Sequence, residues 1–314
     1  MTAIRLPPAI FLSGPTASGK TALAMQIAAE LPVEIISVDA AQVYRGLDIG
    51  TAKPSLEERS RFPHRLIDIR EPSEIYSAAD FRSDALQAMH EITAAGRIPL
   101  LVGGTLFYFR ALERGLPDLP TANPELRASL LQEAGALGWG AMHERLRALD
   151  PVRAERVHPN DPQRVLRALE IIQLSGRAAS DFGKVGSESL PYDLIKIQLY
   201  PDDRAWLHQR IAQRFEAMLQ AGFLAEAARL FQQPELHSDL PAMRTVGYRQ
   251  AGLYLSKTIN YDVMVGMAIS ATRQLAKRQL TWLRGEQDSH RINCSAGPDM
   301  FRPAREILFA RIQR

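Results

Sequence analysis

The chain has 314 residues, 46% apolar, 23% charged and 7% aromatic, with 38 basic and 35 acidic side chains for a net charge of +3. That composition is globular and excludes a mainly disordered, collagen-like or coiled-coil state. No apolar stretch approaches the ~18 residues of a membrane span, and one cysteine, Cys294, excludes a disulfide framework or a cysteine-rich zinc site within the chain.

The length suits two domains, or one large domain with an insertion. The lone cysteine points to a reducing, cytoplasmic setting. The opening run MTAIRLPPAIFLSG leads into a glycine motif without a cleavage site, so a signal peptide is not expected. Residues 9–14 are an apolar run bounded by glycine, the pattern of a buried strand. Residues 19–31 follow with Leu23, Ile27 and Leu31 on one helical face. A second strand, 34–39, ends in Asp39. Residues 78–95 form an amphipathic helix, with Ser77 and Asp80 spaced as a capping box. A third strand, 98–104, ends in Gly103-Gly104. Strands alternating with helices predict an α/β fold, a parallel P-loop sheet flanked by helices.

Glycine and proline at 115–120 break this rhythm. From 123 to about 176 the pattern is helical only, punctuated by Pro124, Pro151, Pro159 and Pro162, and reads as an all-helical insertion. A strand at 194–200 returns to the sheet, and helices at about 202–220, 222–233 and 257–284 make a helical C-terminal region. The expected domains are a catalytic core of 1–116 with 191–314 and an insertion of 117–190.

Gly14-Pro15-Thr16-Ala17-Ser18-Gly19-Lys20-Thr21 fits GxxxxGK[ST], the P-loop of ATP- and other nucleotide-binding proteins, between a strand and a helix. Its glycines let the backbone fold into a nest of amide donors around a phosphate. Lys20 supplies a point charge and Thr21 a hydroxyl for Mg²⁺. A P-loop enzyme that transfers phosphoryl groups also carries an acid at a second strand end. Strand 98–104 ends in glycine instead, and Leu66-Ile67-Asp68 is a weak substitute. Asp39 stands at a strand's carboxyl end, where ligands gather in open α/β sheets. By position it suits a Mg²⁺ partner, a general base or a helix N-cap. Thr105, after Gly103-Gly104, suits a substrate hydroxyl contact or a cap. The seven histidines show no metal spacing.

The charge is uneven. Residues 201–314 carry 16 basic and 11 acidic groups, and between Arg244 and Arg284 seven basic residues face one acid, Asp262. Such a run is a polyanion footprint or a solvated helix face.

The motifs together resemble the bacterial tRNA dimethylallyltransferase (tRNA isopentenyltransferase) family. The resemblance rests on the 14–21 loop, Asp39-Ala40-Ala41-Gln42-Val43-Tyr44-Arg45-Gly46 and Asp48-Ile49-Gly50-Thr51-Ala52-Lys53-Pro54. It continues through Pro63-His64-Arg65-Leu66, Tyr76-Ser77-Ala78-Ala79-Asp80-Phe81, Gly103-Gly104-Thr105 and Asn160-Asp161-Pro162-Gln163-Arg164. Val246-Gly247-Tyr248-Arg249-Gln250 and Ala271-Thr272-Arg273-Gln274-Leu275-Ala276-Lys277-Arg278-Gln279 complete it, so that it spans about 9–285.

The resemblance implies transfer of a dimethylallyl group from dimethylallyl diphosphate to the exocyclic amine of the adenine 3′ of the tRNA anticodon. Asp39 is then the catalytic base, and Lys20, Thr21 with Mg²⁺, and Arg214 neutralise the departing diphosphate. The acceptor adenine leaves its stack to enter a tunnel. The implied tRNA contacts are Asp39, Ala40, Ala41 and Gln42, Thr105, and Arg127 with Gln163, Arg164, Val165, Leu166 and Arg167 in an insertion that clamps the anticodon loop. Arg244, Thr245, Val246, Gly247, Tyr248 and Arg249 follow, then Lys277, Arg278, Gln279, Leu280, Thr281, Trp282, Leu283 and Arg284. Tyr248 suits a base-stacking platform or a core position. Ala40 stands where many relatives have serine, and Phe107 where an aliphatic residue is usual. With one cysteine the chain carries no zinc-finger tail of the eukaryotic kind. A monomer in the cytoplasm, with no membrane partner, is expected.

The competing readings are a P-loop nucleotide or small-molecule kinase, prenylation of free AMP or ATP, and a GTPase-like RNA-binding switch.

Overall fold

The computed structural model describes residues 6–182, 190–297 and 299–312. Residues 1–5, 183–189, 298 and 313–314, which the expected domain ranges include, lie outside them. Strands β1 (Pro8–Ser13), β2 (Val33–Val38), β3 (His64–Arg65), β4 (Ile98–Gly103), β5 (Asp193–Tyr200) and β6 (His290–Asn293) form one sheet in the order β3-β2-β4-β1-β5-β6. Every pairing is parallel. Helices α1 (Lys20–Glu30), α2 (Leu56–Arg61), α3 (Ala78–Ala94) and α4 (Leu106–Arg114) alternate with the strands. Helices α5 (Pro124–Leu149), α6 (Pro151–Arg156) and α7 (Pro162–Ser175) follow without a strand among them. After β5 come α8 (Arg204–Gln220), α9 (Phe223–Phe231), α10 (Tyr248–Leu255) and α11 (Tyr261–Arg284), and α12 (Phe301–Ile312) follows β6.

The central strands are buried on both faces, which is why they read as continuous apolar runs. Ala9 and Phe11 pack with Ile36, Val38 and Leu101 against Phe81, Phe223 and Met264. Their neighbours Ile10 and Leu12 point to the other face, with Ile35, Leu100 and Ile197, against Leu23 and Ile27 of α1 and Leu308 of α12. The Ser77–Asp80 capping box starts α3 as the spacing predicts. The expected helix at 257–284 begins only at Tyr261, because the Asn260 side chain accepts from the Val263 amide and caps it there.

The chain divides into two compact units, one of 1–113 with 190–314 and one of 114–189. The second is helical among its described residues. Pro124, Pro151 and Pro162 each occupy a first turn, where proline's missing N–H costs nothing. Its core gathers Leu130, Met142, Leu146, Val165 and Leu169. Buried Glu170 ties it together, accepting from the Asn123 amide at 3.0 Å, Arg127 at 3.0 Å and Arg167 at 2.7 Å.

Candidate active site

The site is built at the carboxyl ends of β1, β2 and β4. After Ser13 the chain turns through residues 14–19 into α1. Gly19 takes φ 92°, a left-handed conformation that favours glycine. Lys20 Nζ donates to the Pro15 carbonyl at 2.7 Å, curling over the loop. Burial, and then the Arg214 charge, push the Lys20 ammonium down to about 7 against the pull of Asp39. The Ser18 hydroxyl is 1% exposed and has no partner among the described residues. The loop therefore holds a cation that gains from an incoming anion and a buried hydroxyl left to bind one.

β2 delivers Asp39. Its Oδ1 accepts from the Ala41 amide at 2.9 Å and the Gln42 amide at 3.3 Å, capping the turn that follows. Among the described residues Oδ2 takes no hydrogen bond. One carboxylate thus has a structural half and a free half, and the cap and base readings are compatible. The Thr105 hydroxyl accepts from the Ala40 amide at 3.1 Å, so it braces this turn.

β4 ends where a phosphoryl-transfer enzyme would place its acid. A Cβ on Gly103 would sit 1.9 Å from the Val38 carbonyl oxygen, so the packing of β2 on β4 admits no side chain there. Asp68 does not replace it. Burial opposes its ionisation, but Lys53 and Arg59, each 2.6 Å away, hold its carboxyl below the usual range. Asp68 is committed to fixing the 46–53 loop. Gln279 of α11 bridges the P-loop and the β4 end, accepting from the Thr16 amide at 2.9 Å and donating to the Gly104 carbonyl at 2.8 Å.

One cavity of about 190 Å³ collects these groups. Thr16, Lys20, Thr21, Asp39, Gln42, Thr51, Arg214, Thr245, Gly247 and Gln279 are among its polar lining; Val102, Ile211, Phe215, Met218, Val246 and Leu275 make an apolar side. A second cavity against residues 17–22 adds Arg210 and Gln213 to Lys20, Thr21 and Arg214. Burial lowers the Arg214 pKa from its ordinary value and Asp39 opposes that shift; the part-buried side chain lines both cavities. The wall at 48–50 is held by Glu226 of α9, 3% exposed, which accepts from the amides of Asp48 at 3.1 Å, Ile49 at 2.8 Å and Gly50 at 3.0 Å. The Tyr248 hydroxyl donates to the same carboxylate.

Arg210, Gln213 and Glu226 were not among the residues singled out from sequence. Arg210 was findable, one helical turn before Arg214 on a helix that faces the loop. Glu226 carries no local signal, because its partners lie more than 170 residues away.

The residues assigned to tRNA divide. Arg244, Arg249, Lys277 and Arg278 are exposed and form no ion pair among the described residues, while Arg284 Nε donates to the Tyr200 hydroxyl at 3.2 Å. Trp282 and Thr281 are exposed; Leu280 and Leu283 are buried packing residues. Tyr248 is 0% exposed, so it is a core residue and not a stacking platform. In the helical unit Gln163 and Arg164 are exposed, Val165 and Leu166 are core, and Arg127 and Arg167 are paired with Glu170.

The model of the IPP transferase family matches residues 42–286. The chain belongs to this family. It is 34% identical to the tRNA isopentenylpyrophosphate transferase of Bacillus halodurans, over 96% of this chain and 95% of that one, with a TM-score of 0.71. It is 33% identical to the tRNA delta(2)-isopentenylpyrophosphate transferase of Staphylococcus epidermidis, over 98% and 100%, with a TM-score of 0.69. A eukaryotic dimethylallyltransferase acting on tRNA is 27% identical, over 97% of this chain and 78% of that one, with a TM-score of 0.79. No helix among the described residues is long and apolar enough to cross a membrane.

Proposed function

We propose that this protein transfers the dimethylallyl group of dimethylallyl diphosphate to the exocyclic amine of the adenine immediately 3′ of the anticodon in tRNA, releasing diphosphate. One observation carries the reading: a single cavity joins a phosphate loop, an apolar side and a strand-end carboxylate with one free oxygen. Family membership and the tRNA relatives support the same assignment.

The residues divide the chemistry. Lys20, Arg214 and the amides at the start of α1, from Gly19 to Thr21, receive the diphosphate. Their charge stabilises it as the bond from its oxygen to the allylic carbon breaks and the electron pair leaves with the oxygen. The apolar side at Ile211, Phe215 and Met218 holds the isoprenoid carbons away from water. The adenine nitrogen forms the new carbon–nitrogen bond, and Asp39 Oδ2 takes the proton it loses.

Mg²⁺ fits this donor set. Thr21 offers a hard oxygen beside the buried Ser18 hydroxyl, and no cluster of three His, Cys, Asp or Glu residues stands ready for a metal among the described residues. Few protein ligands, completed by phosphate oxygens, is how Mg²⁺ is commonly held. Held there, the ion would add charge neutralisation on the diphosphate. The exposed cations between Arg244 and Arg284, with Gln163 and Arg164 on the helical unit, are available to the anticodon arm. We place the reaction in the cytoplasm, carried out by a monomer.

A kinase reading lacks its acid, since Gly103 admits none. The test is label transfer from radioactive dimethylallyl diphosphate with Mg²⁺, offering unmodified tRNA and AMP in separate tubes. Label on tRNA alone is expected. Label on AMP alone overturns the RNA assignment, and label on neither overturns the prenyl chemistry.

A further inference from the structure

Beside the cavity, Gln279 of α11 donates to the carbonyl of Gly104, two residues before α4 begins. Three residues along from each, Phe107 and Trp282 form an edge-on pair with ring centroids 6.4 Å apart and planes at 76°. They lie about one helical turn beyond the cavity's lining. Aromatics of this size elsewhere in the core, such as Phe81 and Phe223, are buried. Phe107 is 49% exposed and Trp282 38%. The Arg110 guanidinium carbon lies 5.8 Å from the Trp282 ring centroid. Arg278, exposed four residues before Trp282 on the same face of α11, adds a second positive charge beside the pair.

Exposed ring faces inside a cationic field are the chemistry that holds an unpaired nucleobase and its phosphates. We propose that Phe107, Trp282 and Arg110 form a stacking platform for an unpaired base next to the acceptor adenine. The inference takes RNA as substrate and so rests on the reading above. When the acceptor leaves its stack to enter the cavity, its neighbour loses a stacking partner. A ring surface one turn from the cavity edge replaces that partner and offsets the cost of flipping. The platform is a positioning device: it touches the neighbour and not the reacting atoms.

The test uses an unmodified anticodon stem-loop with 2-aminopurine beside the acceptor adenine. On the wild-type protein its fluorescence falls as the base stacks. Trp282→Leu and Phe107→Leu keep apolar volume but remove ring faces. Each is expected to abolish the fall and weaken binding about 5- to 100-fold. Trp282→Phe is expected to restore most of both. The salt slope of binding stays at the wild-type value, because no phosphate contact is removed, and the KM for dimethylallyl diphosphate stays unchanged.

Leucine variants that bind and quench like wild type overturn the platform. So does a salt slope reduced as much as in Lys277→Ala, which would make the rings mere props for the α11 cations. If the leucine variants unfold, Trp282→Phe decides: a restored stem-loop with no quench overturns the proposal. Label on tRNA with no dependence on Trp282 fails the platform and leaves the prenyl reading standing. Trp282-dependent quenching with no label on tRNA fails the prenyl reading and leaves the platform.

Discussion

Asp39→Asn separates the two halves of the Asp39 carboxylate. Oδ1 accepts from the Ala41 and Gln42 amides at 2.9 and 3.3 Å, and an asparagine oxygen caps as well as an aspartate oxygen. The change in stability is therefore near zero. Asp39→Ala removes the cap and costs about 1 kcal/mol. On the chemical side, Oδ2 becomes an NH₂ group that cannot take a proton. A positioned base contributes roughly 10²- to 10⁴-fold, which is about 3–5 kcal/mol of barrier. Asp39→Asn and Asp39→Ala should thus lose turnover by that same factor while differing in stability.

The assay is single-turnover label transfer at saturating tRNA and dimethylallyl diphosphate, with tRNA affinity measured separately and expected within a few fold of wild type. Asp39→Asn turnover within threefold of wild type would refute the base assignment. Equal losses of thermal midpoint in the two variants would refute the cap.

Further expectations follow from the same geometry. With Lys20 held at about 7, its amine is mostly neutral at pH 8 in the free protein, and a bound diphosphate raises it again. Binding inorganic diphosphate at pH 8 should therefore take up about one proton more in the wild type than in Lys20→Arg, which is always charged, the ligand's own proton being common to both; titration calorimetry in buffers of different ionisation enthalpy reads the difference. Glu226→Gln keeps one acceptor oxygen but turns an NH₂ group either toward the Gly50 amide or toward the Asp48 and Ile49 amides. A cost of about 2–4 kcal/mol follows, read as a lower urea midpoint and a raised KM for dimethylallyl diphosphate; an unchanged midpoint would count against the anchor. Replacing Lys277 and Arg278 together by alanine should reduce the slope of log K for tRNA against log salt by about 1.4–1.8. Thr21→Ala should raise the Mg²⁺ concentration needed for half-maximal turnover, and chelation should stop wild-type turnover outright.

Local chemistry was legible in the sequence where it was local in the chain. The P-loop, the Ser77–Asp80 box and the apolar strands announce themselves within a dozen residues, and β1, β2, β4, β5 and α3 stand where those patterns place them. What escaped is short or distant. Helix α2 has six residues, none buried, and β3 has two, so neither presents a period long enough to detect. Glu226 reads as one more acid on an amphipathic helix until the fold lays Asp48, Ile49 and Gly50 across it. Tyr248, which the sequence leaves open between a stacking platform and a core position, is decided by the fold. Its neighbours Arg244 and Arg249 are exposed cations, yet its own side chain turns inward to Glu226. A motif places residues on one stretch of chain and leaves open which face each one takes. The same lesson applies to Gln279, which the resemblance places among the tRNA contacts of Lys277 to Arg284. One α11 face carries those cations outward, and the other sends Gln279 into the P-loop and the β4 end. A single helix therefore carries exposed cations on one face and a side chain bonded to the P-loop on the other.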